Sequence, residues 1–333
     1  MYYILNMSIL EVKNLNVAFK FGDEVFPALY DINFDLKKGH TLSLVGESGC
    51  GKTLTAMSIL RLLPRSANIT SGEILYHKKD ILKIKHPEKI RGEKIALIPQ
   101  DPMTSLNPLY TIGNQLAEVI NKNNLYSHQD TMKRAKEALD KVKIPNAVEK
   151  LNCYPHEFSG GMKQRVIIAM ALACKAEIII ADEPTTALDV TIQAQIMKLL
   201  ADIKREYKTS ILLISHDLDL VGQYSDEIAV MYSGRIVEKA PVKEFFECTL
   251  HPYSIALLNS RPNENTKGKL KTIEGQPPSI KEKITGCKFH PRCINPKKDT
   301  CIVEVPKLFH SRVSKDHYVA CHLGDWGRLI NKF

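Results

Sequence analysis

Nothing in the sequence is apolar for long enough to cross a bilayer. The longest uninterrupted run, Val166 to Cys174, has nine residues, against roughly 20 for a membrane-spanning helix. A basic leader is missing too: Met1 to Leu10 is mildly apolar and runs directly into Glu11 and Lys13. A secretory signal is therefore not expected, and the cytoplasm is the expected compartment. No internal repeat is visible.

What is present is the balance of a globular protein: 333 residues, 44% hydrophobic and 25% charged. That leaves room for one large domain and a smaller one. The net charge of +9 is uneven, since residues 261–333 hold 15 Lys+Arg against 7 Asp+Glu. Such a tail suits nucleic acid, anionic headgroups or simply water, so charge alone selects no partner. Cysteine follows the same asymmetry. Cys50, Cys153, Cys174 and Cys248 are scattered, whereas Cys287, Cys293, Cys301 and Cys321 fall within 35 residues.

From Leu10 to Leu44 the pattern predicts short strands, with Leu15, Val17 and Phe19 alternating, a turn at Gly22-Asp23 and a compact apolar strand at Thr41 to Val45. Leu54, Met57, Leu60 and Leu63 recur at threes and predict a helix ending before Pro64. Proline-punctuated loops at Pro102 and Pro108, then helical stretches such as Met132 to Val142, predict a helical insertion over residues 101–157. Apolar Ile178 to Ala181, a helical face of Ile192, Ile196, Leu199 and Ile203, and apolar Ile211 to Ile214 follow. This alternation predicts a largely parallel, helix-covered sheet. Past about residue 245 regularity fades, and Arg261 to Pro278 reads as a linker.

Gly46-Glu47-Ser48-Gly49-Cys50-Gly51-Lys52-Thr53 fills the G-x-x-x-x-G-K-[ST] pattern between a strand and a helix. Glycines let successive N–H groups turn toward phosphate oxygens, and the following helix adds its positive end. Lys52 would neutralise the outer phosphates, and the Thr53 hydroxyl would meet Mg2+. Asp182 and Glu183 close an apolar strand, where the first can address magnesium and the second can polarise an attacking water. Phe158-Ser159-Gly160-Gly161-Met162 is a second glycine turn opening a helix. Taken singly, His216 could be a surface histidine and Gln100 a loop residue before Pro102. Their placement after apolar strands points to function.

Together these residues resemble the nucleotide-binding subunit of an ATP-binding cassette (ABC) transporter, over residues 9 to about 245. The resemblance implies an α/β P-loop cassette: a mixed-sheet core, a helical subdomain at about 101–165 and an N-terminal antiparallel β subdomain. It makes Ser159 to Gly161 the family signature and Gln100 the glutamine loop, a magnesium ligand beside Thr53 and Asp182. It makes Ala187-Leu188-Asp189 the dimer-contacting loop and His216 the switch histidine. Lys52, Gln100, Glu183 and His216 become the catalytic set. Ser159, Gly160, Gly161 and Asp189 then face the nucleotide of a second cassette. Phe19 is selected to stack on adenine, with Phe21 as the other candidate and a core role open to either. Phe158 and Met162 depart from the commoner leucine and glutamine, while the Ser-Gly-Gly center is intact.

His251-Pro252-Tyr253 and the stretch from Cys287 to Cys321 resemble the C-terminal extension of dipeptide, oligopeptide and nickel importer ATPases. The division expected is a nucleotide-binding domain at 8–245 and an extension at 246–333. The four cysteines leave 5, 7 and 19 residues between them, with no C-x-x-C pair of the kind structural zinc sites build on. Zinc stays open, and the resemblance favours a [4Fe-4S] cluster on Cys287, Cys293, Cys301 and Cys321.

The function implied is ATP-driven import of dipeptides or oligopeptides, with nickel import as an alternative. ATP and Mg2+ are the expected ligands. The partners implied are a second ATPase subunit, two permeases and, indirectly, a solute-binding protein, at the cytoplasmic face of the membrane. A soluble cassette ATPase on nucleic acid or the ribosome is the different-class alternative. No nucleic-acid partner is expected, because Lys52 and Gly160 lie only 108 positions apart, without the long inserts of chromosome-maintenance relatives.

Overall fold

The computed structural model describes residues 7–186, 188–261 and 273–323. In chain order the strands are β1 (Ser8–Phe21), β2 (Glu24–Lys37), β3 (Thr41–Val45), β4 (Ala67–Tyr76), β5 (Lys79–Asp80), β6 (Ile95–Ile98), β7 (Ile178–Asp182), β8 (Ser210–Ser215), β9 (Glu227–Tyr232), β10 (Arg235–Pro241), β11 (Phe309–His310) and β12 (Tyr318–Val319). The α-helices are α1 (Lys52–Leu60), α2 (Pro102–Ser105), α3 (Ile112–Ile120), α4 (His128–Lys141), α5 (Ala147–Lys150), α6 (Gly160–Ala173), α7 (Val190–Tyr207), α8 (Leu218–Tyr224), α9 (Val242–Glu247), α10 (Pro252–Asn259) and α11 (Lys298–Cys301). No helix among the described residues is long and apolar enough to cross a membrane. The chain divides into two compact units, one of the residues up to Ile84 with those from Ile214 onward, the other Lys85–Leu213.

In the first unit β1 pairs antiparallel with both β2 and β4, and the Gly22-Asp23 turn joins β1 to β2. These are 14-residue strands rather than the short ones expected, because bulges carry the apolar alternation past breaks such as Asn14 and Asp31. β3 is buried at all five positions and runs parallel to β9, which pairs antiparallel with β10. β12 then adds to β10 and β11 to β12, so the C-terminal segment extends the cassette's own sheet. Val45, Val230, Tyr232, Phe245, Tyr253 and Phe289 share one apolar cluster. Tyr253 and Phe289 of the extension are therefore part of the cassette's core, while Leu250, Val319 and Cys321 form a smaller cluster of their own.

Helix α1 differs from the threefold stripe. It stops at Leu60, where Arg61 turns left-handed, and it buries Thr55, Ala56, Ile59 and Leu60, while Leu54 and Met57 are half-buried. The face is set by positions three and four apart, which a strict repeat of three drifts away from.

The second unit pairs β6 parallel to β7, with Ile95 opposite Ile178 and Ile98 opposite Ala181, and β8 lies on the other side of β7. Residues 101–157, expected to be a helical insertion, hold α2 to α5, and α6 follows from Gly160. The starts of α2, α3, α4 and α6 are capped by Asp101, Thr111, Ser127 and Ser159 side chains. The linker expected at Arg261 to Pro278 lies largely outside the described residues, as does Ala187.

Candidate nucleotide site

The loop after β3 depends on glycine. Gly46 has φ +151°, and a Cβ there would stand 2.2 Å from the Met231 carbonyl oxygen; Gly51 has φ +108°, with a Cβ 2.6 Å from Leu29 Cδ2. Lys52 opens α1 with a buried side chain. Its Nζ donates to the Gly46 carbonyl at 2.7 Å and the Glu47 carbonyl at 3.1 Å. The ammonium is thus turned back onto the loop instead of into solvent. Cys50 is buried, and desolvation pushes its thiol pKa up against the pull of Lys52. Ser48, Gly49 and Thr53 are exposed. Glu47 is fixed twice: its N–H donates to the Tyr253 hydroxyl at 2.8 Å, and its carboxylate pairs with Arg292. Phe19 lies parallel to Phe21 with ring centroids 5.9 Å apart, a flat apolar platform that a base could use. His216 follows β8 directly and is exposed, while Asp217 caps α8.

In the second unit Asp182, the last residue of β7, is buried. Glu183 has φ +46°, a left-handed backbone in a non-glycine residue, of the kind that persists at functional turns because its surroundings hold it. Its Oε2 accepts from Gln100 Nε2 at 3.1 Å and from Thr186 Oγ1 at 3.0 Å. Two sequence-selected residues, Gln100 and Glu183, are thereby brought into contact, and Thr186 joins them. Ser159 caps α6 by accepting from Met162 N at 3.4 Å, and Asp189 caps α7 by accepting from Ile192 N at 2.9 Å. Gly161 lets these two helices approach, since a Cβ on it would lie 2.8 Å from Ile192 Cγ2, whereas Gly160 has room for one.

The ABC transporter family model matches residues 29–186, and the model of the oligopeptide/dipeptide transporter C-terminal region matches residues 237–301. The oligopeptide transport ATP-binding protein OppD of Haemophilus influenzae is 47% identical over 288 residues, covering 86% of this chain and 89% of its own. The dipeptide transport ATP-binding protein DppD of Bacillus subtilis is 44% identical over 323 residues, 95% of each chain. The chain belongs to the oligopeptide and dipeptide transporter family of ATP-binding subunits. A solved dimer of the cassette MJ0796 bound to ADP and Pi has a TM-score of 0.63 at 30% identity, covering 70% of this chain and 98% of that one. The P-loop cassette fold, mixed sheet with helical parts, holds here, and the subunit is an ATPase. These relatives favour neither nickel import nor action on nucleic acid.

In this ABC ATPase the family's C-terminal motif has a local explanation. His251 Nδ1 accepts from Tyr253 N at 3.0 Å, capping α10, and Pro252 occupies its first turn. Burial lowers the His251 pKa to about 3, so the imidazole is neutral and free to accept. The backbone N–H of His251, with that of Leu250, donates to the Glu238 carboxylate.

Cys287, Cys293, Cys301 and Cys321 line one cavity with His251, His290 and His322. Burial pushes the Cys287 thiol up to about 11 and that of Cys321 up to about 12, with neighbouring cysteines adding to both. Four cysteines gathered in one cavity are the kind of soft-ligand set that a metal-bearing group takes, with loss of the thiol protons. Yet among the described residues no three His, Cys, Asp or Glu side chains are placed to hold a metal ion. The four cysteines thus share a cavity, in which no ligand set is formed among the described residues.

Tyr253 and Arg292 are what reading the loop motif alone missed. Tyr253 was marked by its family resemblance only, and Arg292 by nothing but its place beside Cys293.

Proposed function

We propose that this subunit is the ATP-hydrolysing motor of a peptide importer, dipeptide or oligopeptide in substrate class. The observation that carries the reading is the joint presence of a complete phosphate loop with an inward-turned Lys52 and the oligopeptide/dipeptide C-terminal region. Domain limits of 8–245 and 246–333 go with it. The loop Gly46 to Thr53 holds the phosphates, and Phe19 stacks on the base. Mg2+, held through Thr53, Gln100 and Asp182, would neutralise charge on the phosphates. Glu183 accepts the proton side of the attacking water, and its present bonds to Gln100 and Thr186 keep the carboxylate in one orientation. His216 contacts the γ-phosphate. Ser159, Gly160, Gly161 and Asp189 serve the nucleotide of a second ATPase subunit. Two permease subunits convert the cycle into transport, a solute-binding protein delivers the peptide, and the subunit works at the cytoplasmic face of the membrane.

In a Glu183→Gln variant ATP binding should persist while hydrolysis falls by about 10²–10⁴-fold, the usual contribution of a positioned general base. Turnover near the native rate would remove Glu183 from that role.

For the extension we propose a [4Fe-4S] cluster on Cys287, Cys293, Cys301 and Cys321. A cavity lined by all four cysteines, without a C-x-x-C pair, supports it, because each thiolate of a cluster binds a different iron and the sulfurs need not converge on one ion. Anaerobic purification with iron and zinc analysis tests it: stoichiometric zinc without iron would overturn the cluster.

A further inference from the structure

Glu47 is an acid inside a loop that must bind a polyanion, and the extension covers both of its polar ends. Arg292 is almost fully buried, with 6% of its side chain exposed. Its Nη1 and Nη2 meet the two Glu47 carboxylate oxygens at 2.7 and 3.0 Å. Nε donates to the Glu274 carbonyl at 2.9 Å, Nη2 also to the Gly275 carbonyl at 3.2 Å, and Nη1 also to the Tyr232 hydroxyl at 3.4 Å. All five donors of the guanidinium are thus engaged, and a fork held this way has no freedom to leave the carboxylate. From the other side the fully buried Tyr253 takes the Glu47 N–H on its hydroxyl at 2.8 Å. Its ring is wedged against Tyr232 and Phe289, centroids 4.6 and 5.3 Å away.

We propose that Arg292 and Tyr253 are positioning residues for nucleotide binding: Arg292 cancels the Glu47 carboxylate beside the phosphates, and Tyr253 sets the loop backbone at Glu47. The C-terminal extension is then a working part of the phosphate site. The Glu47–Arg292 pair spans 245 positions, so whatever loosens the extension uncovers a negative charge within the loop and lowers ATP affinity. Phe289 and Arg292 lie between Cys287 and Cys293, which places the same control within reach of the cysteine cavity.

The inference rests on the loop being the phosphate site, and its test separates the two. In the full chain, binding of a fluorescent ATP analogue is measured for Arg292→Met, Tyr253→Phe, Lys52→Ala and the double variant Glu47→Gln/Arg292→Met. Arg292→Met should weaken binding by about tenfold or more, as one uncompensated charge a few ångströms from phosphates does in a partly buried loop. Adding Glu47→Gln should recover most of that loss, a rescue that no purely structural role for Arg292 would give. Tyr253→Phe, which keeps the ring in place, should weaken binding about threefold through loss of one hydrogen bond. If Lys52→Ala abolishes binding while Arg292→Met and Tyr253→Phe bind as the native chain does, the proposal is overturned. It is equally overturned if the double variant is as weak as Arg292→Met. If Lys52→Ala itself binds normally, the phosphate-site reading fails first. Should Arg292→Met not fold, Arg292→Lys, which keeps the charge but not the fork, should bind more weakly than the native chain, and equal affinity would refute the fork.

Discussion

Replacing Glu238 should detach the extension's anchor on the sheet. This carboxylate, in β10, is fully buried and receives three donors: Leu250 N at 2.8 Å, His251 N at 2.9 Å and His317 Nε2 at 2.8 Å. Glu238→Ala leaves two backbone N–H groups and one imidazole without acceptors, each costing about 1–3 kcal/mol when buried. Part of that is returned because a buried carboxylate no longer has to be desolvated, so the net loss should be about 3–5 kcal/mol, the range for breaking a buried pair. Glu238→Gln keeps one acceptor oxygen and turns an amide donor toward the other N–H, so it should cost less than Ala but not zero. Hydrogen exchange by mass spectrometry reads this directly. Local opening eased by about 3–5 kcal/mol raises exchange at Leu250 and His251 about 10²–10⁴-fold. Urea unfolding of the same variant gives the global value. If exchange at those two amides is unchanged in Glu238→Ala, the carboxylate is not what holds the segment, and the assignment of His317 and His251 to a common anchor fails with it.

Three further outcomes are expected. Gly46→Ala should destabilise the fold by about 2–4 kcal/mol and abolish ATP binding, because its Cβ would lie 2.2 Å from the Met231 carbonyl oxygen at φ +151°; nucleotide binding and a melting curve check both. His251 has a folded pKa of about 3 against about 6.5 unfolded, so the unfolded chain binds the extra proton and stability falls as pH drops through that window. Between pH 6.5 and 5 the loss from this group is about 2 kcal/mol. In His251→Asn, which can still cap α10, urea titrations at the two pH values should show that much less acid sensitivity. Gly161→Ala should push α6 from α7, since Ile192 Cγ2 stands 2.8 Å from the new Cβ. ATP hydrolysis should fall more than fold stability does, while Gly160→Ala, with 3.6 Å to Leu188, should be milder.

The sequence alone determined what is set by a few neighbouring residues. Glycines at 46, 49 and 51 dictate a turn that only they can adopt, the turn from Ser159 to Gly161 announces a helix start, and an apolar run ending in Asp182-Glu183 dictates a buried strand with acids at its tip. Such local motifs, in this order along the chain, carried the resemblance that implied the cassette fold and its candidate residues. The burial face of α1 is not given by the repeat of three, which only approximates a helical turn. The left-handed backbone of Glu183 and its bonds to Gln100 and Thr186 carried no sequence signal, since the first is a strain that packing enforces and the second joins residues 83 positions apart. Only the tertiary structure decided that the extension continues the cassette sheet, and that Tyr253 and Arg292 meet at Glu47. A contact between one acid and one base among 37 acidic and 46 basic residues is chosen by how the chain packs, which no spacing along it records.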